Sequence, residues 1–600
     1  MTRITRRLFT DVVIGLATLV LTVSPVLAAP VPATAPANAA VLAVVPAQAP
    51  IVLQVRGVER TKERLTAFLN AAVPDFGPVA AAQIDQLLKN GFEGRKLEGL
   101  AKDGPIFVAV LELPTGGAEP PVAVIARVTG YKAFRDGLLT EDERKAVKAE
   151  SGYERAEIDG REIFFLDRQD FAVVTTSKDA AEMLAKKPSG MNEKLAPDFA
   201  RQLLDNDVSI YVNLAAVNKE YGDQIKSFQQ IMELGLNMAG GGGEKAAIEY
   251  AKLFYNGLFQ AIADGRSFLM ALDFRPEGMN LALQFQVGAD TKTNKYLADQ
   301  KPVGLEGLGR LPAGQMTYTA THMSGELLKS TAPLIYGAMG GEGDAKAHVE
   351  AAVKQLFAAG LTASYNCGNM PPAGVQVQTF DEPNKAAAAM LALFRAMGEG
   401  GTFQNNYIKG KPDIKENAEE YKGFKLNAVQ ITWDLDKFAD SMPGGGDAVK
   451  TAIKKLLGQS LRLWFGTDGK QVVTVTAKDW EAAKQRLDTY LDGTSTLAKE
   501  PAYEATRKHL PPEATMLLLT DAGPFVQVMG DYMLGFFKAM PNQLPFNLPD
   551  EIKPVKTKTS YLGYAVILRP ETATLDMFVP VTGIQEIRKV LQPLFLGGAQ

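Results

Sequence analysis

The feature that most constrains the fold of this 600-residue chain is a recurring pattern, a short β-rich run followed by an amphipathic helix. The pattern begins near residues 46–69, 205–231, 311–335 and 510–534, and the last two copies open on Leu-Pro. Further along each copy, apolar residues alternate at a period of two, which half-buried antiparallel strands require. The pattern therefore predicts a unit of strand, helix, helix, strand, strand and helix.

Two related segments connect consecutive units. Residues 153–187 and 421–487 each run from a tyrosine through three strands to Lys-Asp and a helix. The second segment contains an insert at about 435–458, within which an amphipathic helix is predicted at 447–457. Because unit, segment and unit follow one another twice in the same order, the sequence predicts a tandem duplication.

The predicted fold class is α+β, with tandem duplicated modules of antiparallel sheets and helices packed on them. A chain of this length is too long for a single hydrophobic core. We place the first module at 49–302 and the second at 311–600. The polar stretch at 399–420 is predicted to be a surface loop or a contact site.

The Lys-Asp pairs mark predicted junctions between a strand and a helix. In the first connecting segment, Ser177 can cap the helix with its side-chain hydroxyl. In the second segment the matching residue is Ala477, which has no polar side chain, so Thr476 or the backbone is expected to cap that helix. The acidic residue of each pair then falls in the first turn, where the helix dipole favours it.

The N-terminus has the pattern of a secretory signal peptide over residues 1–28. Three arginines precede an apolar run at 12–23, and Val26-Leu27-Ala28 forms a small-residue cleavage pattern. Thr5-Arg6-Arg7 is similar to a twin-arginine signal, and the general secretory route is the alternative. An Ala/Pro-rich tether is predicted at 29–48. We therefore expect an exported protein, periplasmic or extracellular, with no transmembrane helix in the mature chain.

Composition and motifs exclude several function classes. Net charge is −4 and no Lys/Arg-rich run follows the N-terminus, so nucleic acid is not an expected partner. The three histidines are scattered and Cys367 is the only cysteine, so no zinc signature and no internal disulfide are predicted. Nucleophile motifs and phosphate-binding loops are missing from the sequence. We therefore predict no catalytic residue, metal ligand or cofactor.

Two groups of aromatic residues are candidates for binding a partner. All tryptophans lie in the second connecting segment, at Trp433, Trp464 and Trp480, where they either pack in the core or form an exposed platform for a glycan or peptide. The segment 532–554 carries Phe536, Phe537 and Phe546. This segment either packs onto the last sheet or forms an exposed apolar patch for a partner or an envelope surface.

The Leu-Pro openings, Tyr421-Lys422-Gly423 and the run VTVTAKDWEAAKQRL resemble those of uncharacterised bacterial exported proteins. These form domain-of-unknown-function families whose tandem α+β repeats begin with a Leu-Pro strand. The resemblance implies a duplicated α+β fold and carries over no catalytic residue. We favour a non-enzymatic cell-envelope scaffold that binds an envelope protein, a glycan or an apolar ligand. The alternatives are an envelope hydrolase with an unrecognised site and a carrier of an apolar ligand.

Overall fold

The computed structural model describes residues 39–596 with several gaps. The gaps are residues 76, 80, 84–85, 87–94, 96, 115–118, 159, 240–244, 326, 331–343, 398–406, 441–446 and 539–551. The predicted signal peptide, the first half of the predicted tether and Phe546 lie outside the described residues. No described helix is both long enough and apolar enough to cross a membrane.

The described residues group into two compact units. The first unit comprises the described residues up to Ile225, together with Ile262–Gly288 and Thr574–Val581. The second comprises Lys226–Ala261, Ala289–Ala573 and the described residues from Thr582 onward. Each unit is an antiparallel sheet with packed helices, so the predicted α+β fold class is confirmed.

In its described part, the first unit contains strands β1 to β10. Their bounds are β1 (Ile51–Val55), β2 (Ile106–Val110), β3 (Val122–Arg127), β4 (Lys148–Ala149), β5 (Glu154–Ile158), β6 (Arg161–Arg168), β7 (Phe171–Thr175), β8 (Val208–Val212), β9 (Gly265–Arg275) and β10 (Gly278–Val287). Every neighbouring pair is antiparallel, in the order β4-β5-β6-β7-β3-β2-β1-β8-β9-β10.

A second series of strands follows along the chain. Their bounds are β11 (Thr317–Thr321), β12 (Leu361–Asn369), β13 (Ala373–Phe380), β14 (Asp413–Tyr421), β15 (Phe424–Thr432), β16 (Ser460–Thr467), β17 (Val472–Thr476), β18 (Met516–Asp521), β19 (Tyr561–Arg569) and β20 (Thr572–Pro580). In the second unit the antiparallel order is β14-β15-β16-β17-β13-β12-β11-β18-β19.

Helices connect the strands in both series. The described α-helices are α1 (Val58–Ala72), α2 (Tyr131–Gly137), α3 (Glu141–Lys145), α4 (Lys178–Ala185), α5 (Pro197–Asp205), α6 (Leu214–Ala239), α7 (Lys245–Asp264), α8 (Lys292–Leu297), α9 (Asp344–Ala358), α10 (Pro383–Ala396), α11 (Leu435–Asp440), α12 (Asp447–Leu457), α13 (Trp480–Asp492), α14 (Pro501–Arg507), α15 (Ala522–Lys538) and α16 (Val581–Leu596). The predicted helix at 447–457 is confirmed as α12.

The core of the first unit lies between its sheet and the helices α4 and α5. Phe107, Ile125 and Leu166 project from the sheet and are almost fully buried, and Leu203 meets them from α5. Burying a side chain of this size is worth roughly 1.5–3 kcal/mol relative to leaving it exposed. Alternation fixes which face of β1 meets the core, since its side chains alternate between half-buried and buried. On β6 the consecutive residues Phe164, Phe165 and Leu166 are all buried, so both faces of that strand are covered.

The second half of the predicted tether belongs to this core. Residues Ala39–Val44 form a 3₁₀-helix, and Leu42 and Val45 are fully buried. Pro46 forms an isolated antiparallel bridge with Gly190. The prediction of a flexible or extended tether is therefore wrong from residue 39 onward, because the apolar side chains around Val45 are removed from water when they pack into the core.

The prediction of a polar surface loop at 399–420 is wrong for its last residues, because Asp413–Tyr421 forms strand β14. Five of its nine side chains are exposed and the other four are half-buried. Charged side chains suit a strand with few buried positions, since they oppose pairing with other chains. Lys422 and Gly423 turn the chain into β15 with positive φ at both residues, and glycine adopts that conformation at little cost.

The two Lys-Asp junctions begin their helices differently. Ser177 caps α4 as predicted, since its hydroxyl accepts a hydrogen bond from the Ala180 N–H at 3.2 Å. In the second copy neither Thr476 nor the backbone caps the helix. Asp479 does so, by accepting from the Ala482 N–H at 2.8 Å. The prediction was wrong because α13 begins two residues later relative to the Lys-Asp pair, which turns the aspartate from a first-turn residue into the cap.

Candidate functional site

Helices α6 and α7 form an antiparallel pair, and polar contacts fix its base. Asn213 caps α6 by accepting from the Ala216 N–H at 3.1 Å. Further along, the Asn218 side-chain amide donates to the Ile262 carbonyl at 2.7 Å. Because this contact joins the start of α6 to the end of α7, the two helices run in opposite directions.

The outer parts of the two helices contact each other through polar and aromatic side chains. The Gln229 amide donates to the Asn256 side-chain oxygen at 3.1 Å. The Phe228 and Phe259 rings meet edge to face with their centroids 6.1 Å apart. None of the described side chains of α6 or α7 is buried. By contrast, α1 buries Leu65 and Phe68.

Large apolar side chains of this helical pair are exposed to solvent. On α6 they lie three or four residues apart, a spacing that places them on one stripe of the helix. We call the following six residues, which are 46% to 76% exposed, the apolar surface: Phe228, Ile231, Leu234, Met238, Phe254 and Leu258. An exposed concentration of this kind is typical of interaction sites.

The outer part of the pair carries no net charge. From residue 226 to residue 261 the sequence has three lysines (Lys226, Lys245 and Lys252) and three glutamates (Glu233, Glu244 and Glu249), which gives 3 − 3 = 0. The stripe itself is uncharged, so no ion has to be desolvated to cover it.

The sequence reading missed the apolar surface. A stripe with this spacing is normally the core-facing side of a helix, so it indicates burial when taken alone. A second signal was available in the same helix. Ile225, Met232 and Leu236 are also apolar and are half-buried. Apolar residues therefore occupy more of the circumference of α6 than the neighbouring parts of the chain cover, and the remainder is exposed.

The structure brings two of the three tryptophans together. Trp464 on β16 is buried and lies 5.8 Å from the half-buried Trp480, measured between ring centroids. Tyr421 meets Trp480 at 5.9 Å and 90°, and its hydroxyl donates to Asp488 at 2.6 Å. Trp433 lies apart, packed beside the insert helices. Packing accounts for all three side chains, and partner binding at them stays a prediction.

Phe536 and Phe537 lie in the last turn of α15. On the same helix, Leu534 is buried against Ile552 and Val590, and Met533 is exposed.

A shallow depression of about 220 Å³ lies between α12 and α15. It is lined by Ala452, Lys455, Leu456, Val528, Asp531 and Tyr532. Lys455 and Asp531 approach to 4.0 Å across it. The depression is smaller than the ~300–1,000 Å³ of typical small-molecule sites.

Buried charges in the first unit pair with one another. The Arg64 guanidinium contacts Asp207 at 2.9 Å and Asp273 at 2.8 Å, and both carboxylates are shielded from solvent. Asp207 also accepts the Phe274 N–H at 2.8 Å. Burial and the neighbouring Asp273 raise the pKa of Asp207 to about 6, although the Phe274 N–H and Arg64 oppose the shift.

A buried carboxyl in the second unit lies between β18 and α15. Asp521 accepts the Ser560 N–H at 3.2 Å. Burial raises the pKa of Asp521 to about 6. Among the described residues, no group of three or more His, Cys, Asp and Glu side chains is arranged to hold a metal ion.

Comparison with known proteins assigns no family. No family model and no curated protein matches the chain. Among solved structures, crystal form III of TP0453 matches at 11% identity, covering 43% of this chain and 81% of that chain with a TM-score of 0.21. Crystal form I of TP0453 matches at 12% identity, covering 45% and 81%, with the same TM-score. Similarity this low carries no structural argument, so the resemblance to domain-of-unknown-function families stays a prediction.

Proposed function

We propose that this chain is an exported, non-enzymatic binding scaffold whose α6–α7 pair docks a protein partner through its apolar surface. The observation that carries the proposal is the exposure of Ile231, Leu234 and Met238 on a helix with no buried side chain among its described residues. Covering such side chains removes apolar area from water, at roughly 25 cal/mol per Å². A glycan offers less apolar area than a protein surface does, so a protein fits this surface better.

The sequence supports the exported location. Residues 1–28 combine a basic start, an apolar run and a small-residue cleavage pattern. Mass spectrometry of the protein recovered outside the cytoplasm is expected to find Ala29 as the first residue. A chain that still begins at Met1 and fractionates with the cytoplasm would contradict export.

Docking can be tested by labelling an introduced cysteine. The native Cys367 is buried, and burial raises its pKa to about 11, so it reacts little with a maleimide dye. In the Ile231→Cys variant, the dye reports whether position 231 is covered. Lys219→Cys is the matched control, because Lys219 is an exposed polar residue on the same helix.

We expect both introduced cysteines to label rapidly in the dilute purified protein. In the envelope fraction, labelling at position 231 should fall at least tenfold while labelling at position 219 stays unchanged. Equal labelling at both positions in the envelope fraction would show that nothing covers the apolar surface, and docking would be refuted.

A further inference from the structure

We infer that the partner covering the apolar surface is a second copy of this chain, so that two α6–α7 pairs pack against each other in a symmetric dimer. This inference rests on the proposed function, because it names the occupant of the same surface. Three features of the helical pair support it: its charge, its apolar area and its glycines.

The charge balance suits contact between identical surfaces. With three lysines and three glutamates from 226 to 261, two copies meet without net repulsion. A surface that binds anionic lipid instead carries an excess of Lys and Arg on the polar face of its helices. The balanced charge therefore favours a second copy over a membrane.

The exposed area has the size that a specific dimer needs. A large side chain such as Phe presents ~150–250 Å² when fully exposed, so the six partly exposed residues offer roughly 500–900 Å² per copy. A standard protein interface takes about 800 Å² from each partner. Two-fold symmetry closes such a contact at two copies, because each surface meets its own equivalent.

Two glycines leave room for a closely packed helix. Gly235 lies on the exposed side of α6 and Gly257 on the exposed side of α7, and a Cβ added at either would meet nothing within 4 Å. Glycine in a helix interior lowers helix stability, and no described residue occupies the space within 4 Å of the position that a Cβ would take at either glycine. Ridges of side chains on a partner helix can enter that space at the usual interaxial distance of about 8–10 Å.

The test measures the mass of the full purified chain by light scattering and sedimentation equilibrium over a range of concentrations. The wild-type protein is expected to have twice the mass of one chain at micromolar concentration and to dissociate on dilution. Two double variants, Ile231→Glu with Leu234→Glu and Ile231→Lys with Leu234→Lys, should each have the mass of one chain. Tyr296→Glu, at an exposed apolar residue of α8, is the matched control and should dimerise like wild type.

Mixing the two double variants separates loss of the interface from loss of the fold. Opposite charges on the two surfaces should restore a dimer containing one copy of each variant, which misfolded chains cannot form. A mixture that stays at the mass of one chain, or a wild-type protein that never exceeds that mass, would overturn the inference.

The outcomes for the dimer and for the proposed function are distinguishable. If wild type stays monomeric while position 231 is protected in the envelope fraction, the docking function stands and the occupant is not a second copy. If a monomeric wild type cosediments with vesicles of anionic phospholipid and the Glu variant does not, a bilayer covers the surface, and both the dimer and the docking of a protein partner are refuted.

Discussion

At the scale of single residues, a group of buried ion pairs contributes to the stability of the first unit. One guanidinium nitrogen of Arg64 lies within 3 Å of a carboxylate oxygen from each of two aspartates, Asp207 and Asp273. Both carboxylates are almost fully shielded from water. An unpaired buried charge is far more costly than a paired one. Arg64 therefore helps to prevent that cost, together with Arg275, which contacts Asp273 at 2.7 Å, and Arg60, which lies 3.6 Å from Asp207.

Replacing Arg64 with methionine is expected to lower the free energy of unfolding by about 3–5 kcal/mol, because two buried carboxylates lose a shared partner. Urea unfolding followed by circular dichroism measures the change. Arg201→Met is the matched control, since Arg201 pairs with Asp198 at 2.9 Å on the surface and should cost less than about 1 kcal/mol. Equal effects of the two substitutions would contradict the role given to Arg64.

The raised pKa of Asp521 predicts a pH-dependent contribution to stability. Its folded pKa of about 6 lies above the ordinary value of 3.8, so the folded state holds the proton more tightly. The stabilisation is complete below pH 3.8 and is lost as pH rises through about 6. Asp521→Asn removes this titration. Relative to wild type, the variant is expected to gain about 2–3 kcal/mol between pH 4 and pH 7.5.

Tryptophan fluorescence is the appropriate measurement for Asp521→Asn, because all three tryptophans belong to the second unit. Asp468→Asn, at a half-buried residue in the turn between β16 and β17, controls for a change of formal charge. If the difference between Asp521→Asn and wild type does not vary with pH, the pKa of Asp521 is the same in the folded and unfolded states, and the predicted effect of burial is contradicted.

At the scale of elements, sequence patterns predicted most strands and helices but not their boundaries. The alternating runs found β9 and β10, and the periodic insert gave α12 at the predicted residues. The sequence did not predict β14, because its residues are mostly polar and do not show the alternation of apolar and polar side chains that indicates a strand. The sequence did not predict the apolar surface either, because a stripe of apolar residues on a helix has the same spacing whether or not another part of the chain packs against it.

The Asp479 cap gives a prediction at this scale. Asp479→Ala is expected to destabilise the second unit by about 1 kcal/mol, because the Ala482 N–H loses its acceptor. Asp479→Asn should retain most of the stability, since asparagine caps as well as aspartate. Lys478→Ala, next to the cap, should have little effect. Urea unfolding followed by tryptophan fluorescence tests all three, and an Asn variant as unstable as the Ala variant would argue against capping.

At the scale of the whole molecule, the two series of strands share one order. Strands β1 to β9 pair with one another in the same antiparallel order as strands β11 to β19, with β1 matching β11, β2 matching β12 and so on. We propose that a tandem duplication produced this correspondence, as the repeated strand and helix patterns of the sequence predict. The limits of the modules were harder to infer. In the structure the outer parts of α6 and α7 group with the second unit, and residues 574–581 with the first.

The helical pair also bears on the lifetime of the protein. Helices without buried side chains, and with interior glycines, contribute little to the global free energy of unfolding, so they open locally before the sheets do. In the free chain, amide hydrogens of residues 228–238 should exchange faster than those of α1, as hydrogen exchange with mass spectrometry can measure. An opened helix is a substrate for proteases. Occupancy of the apolar surface would then govern how quickly each copy of the chain is degraded.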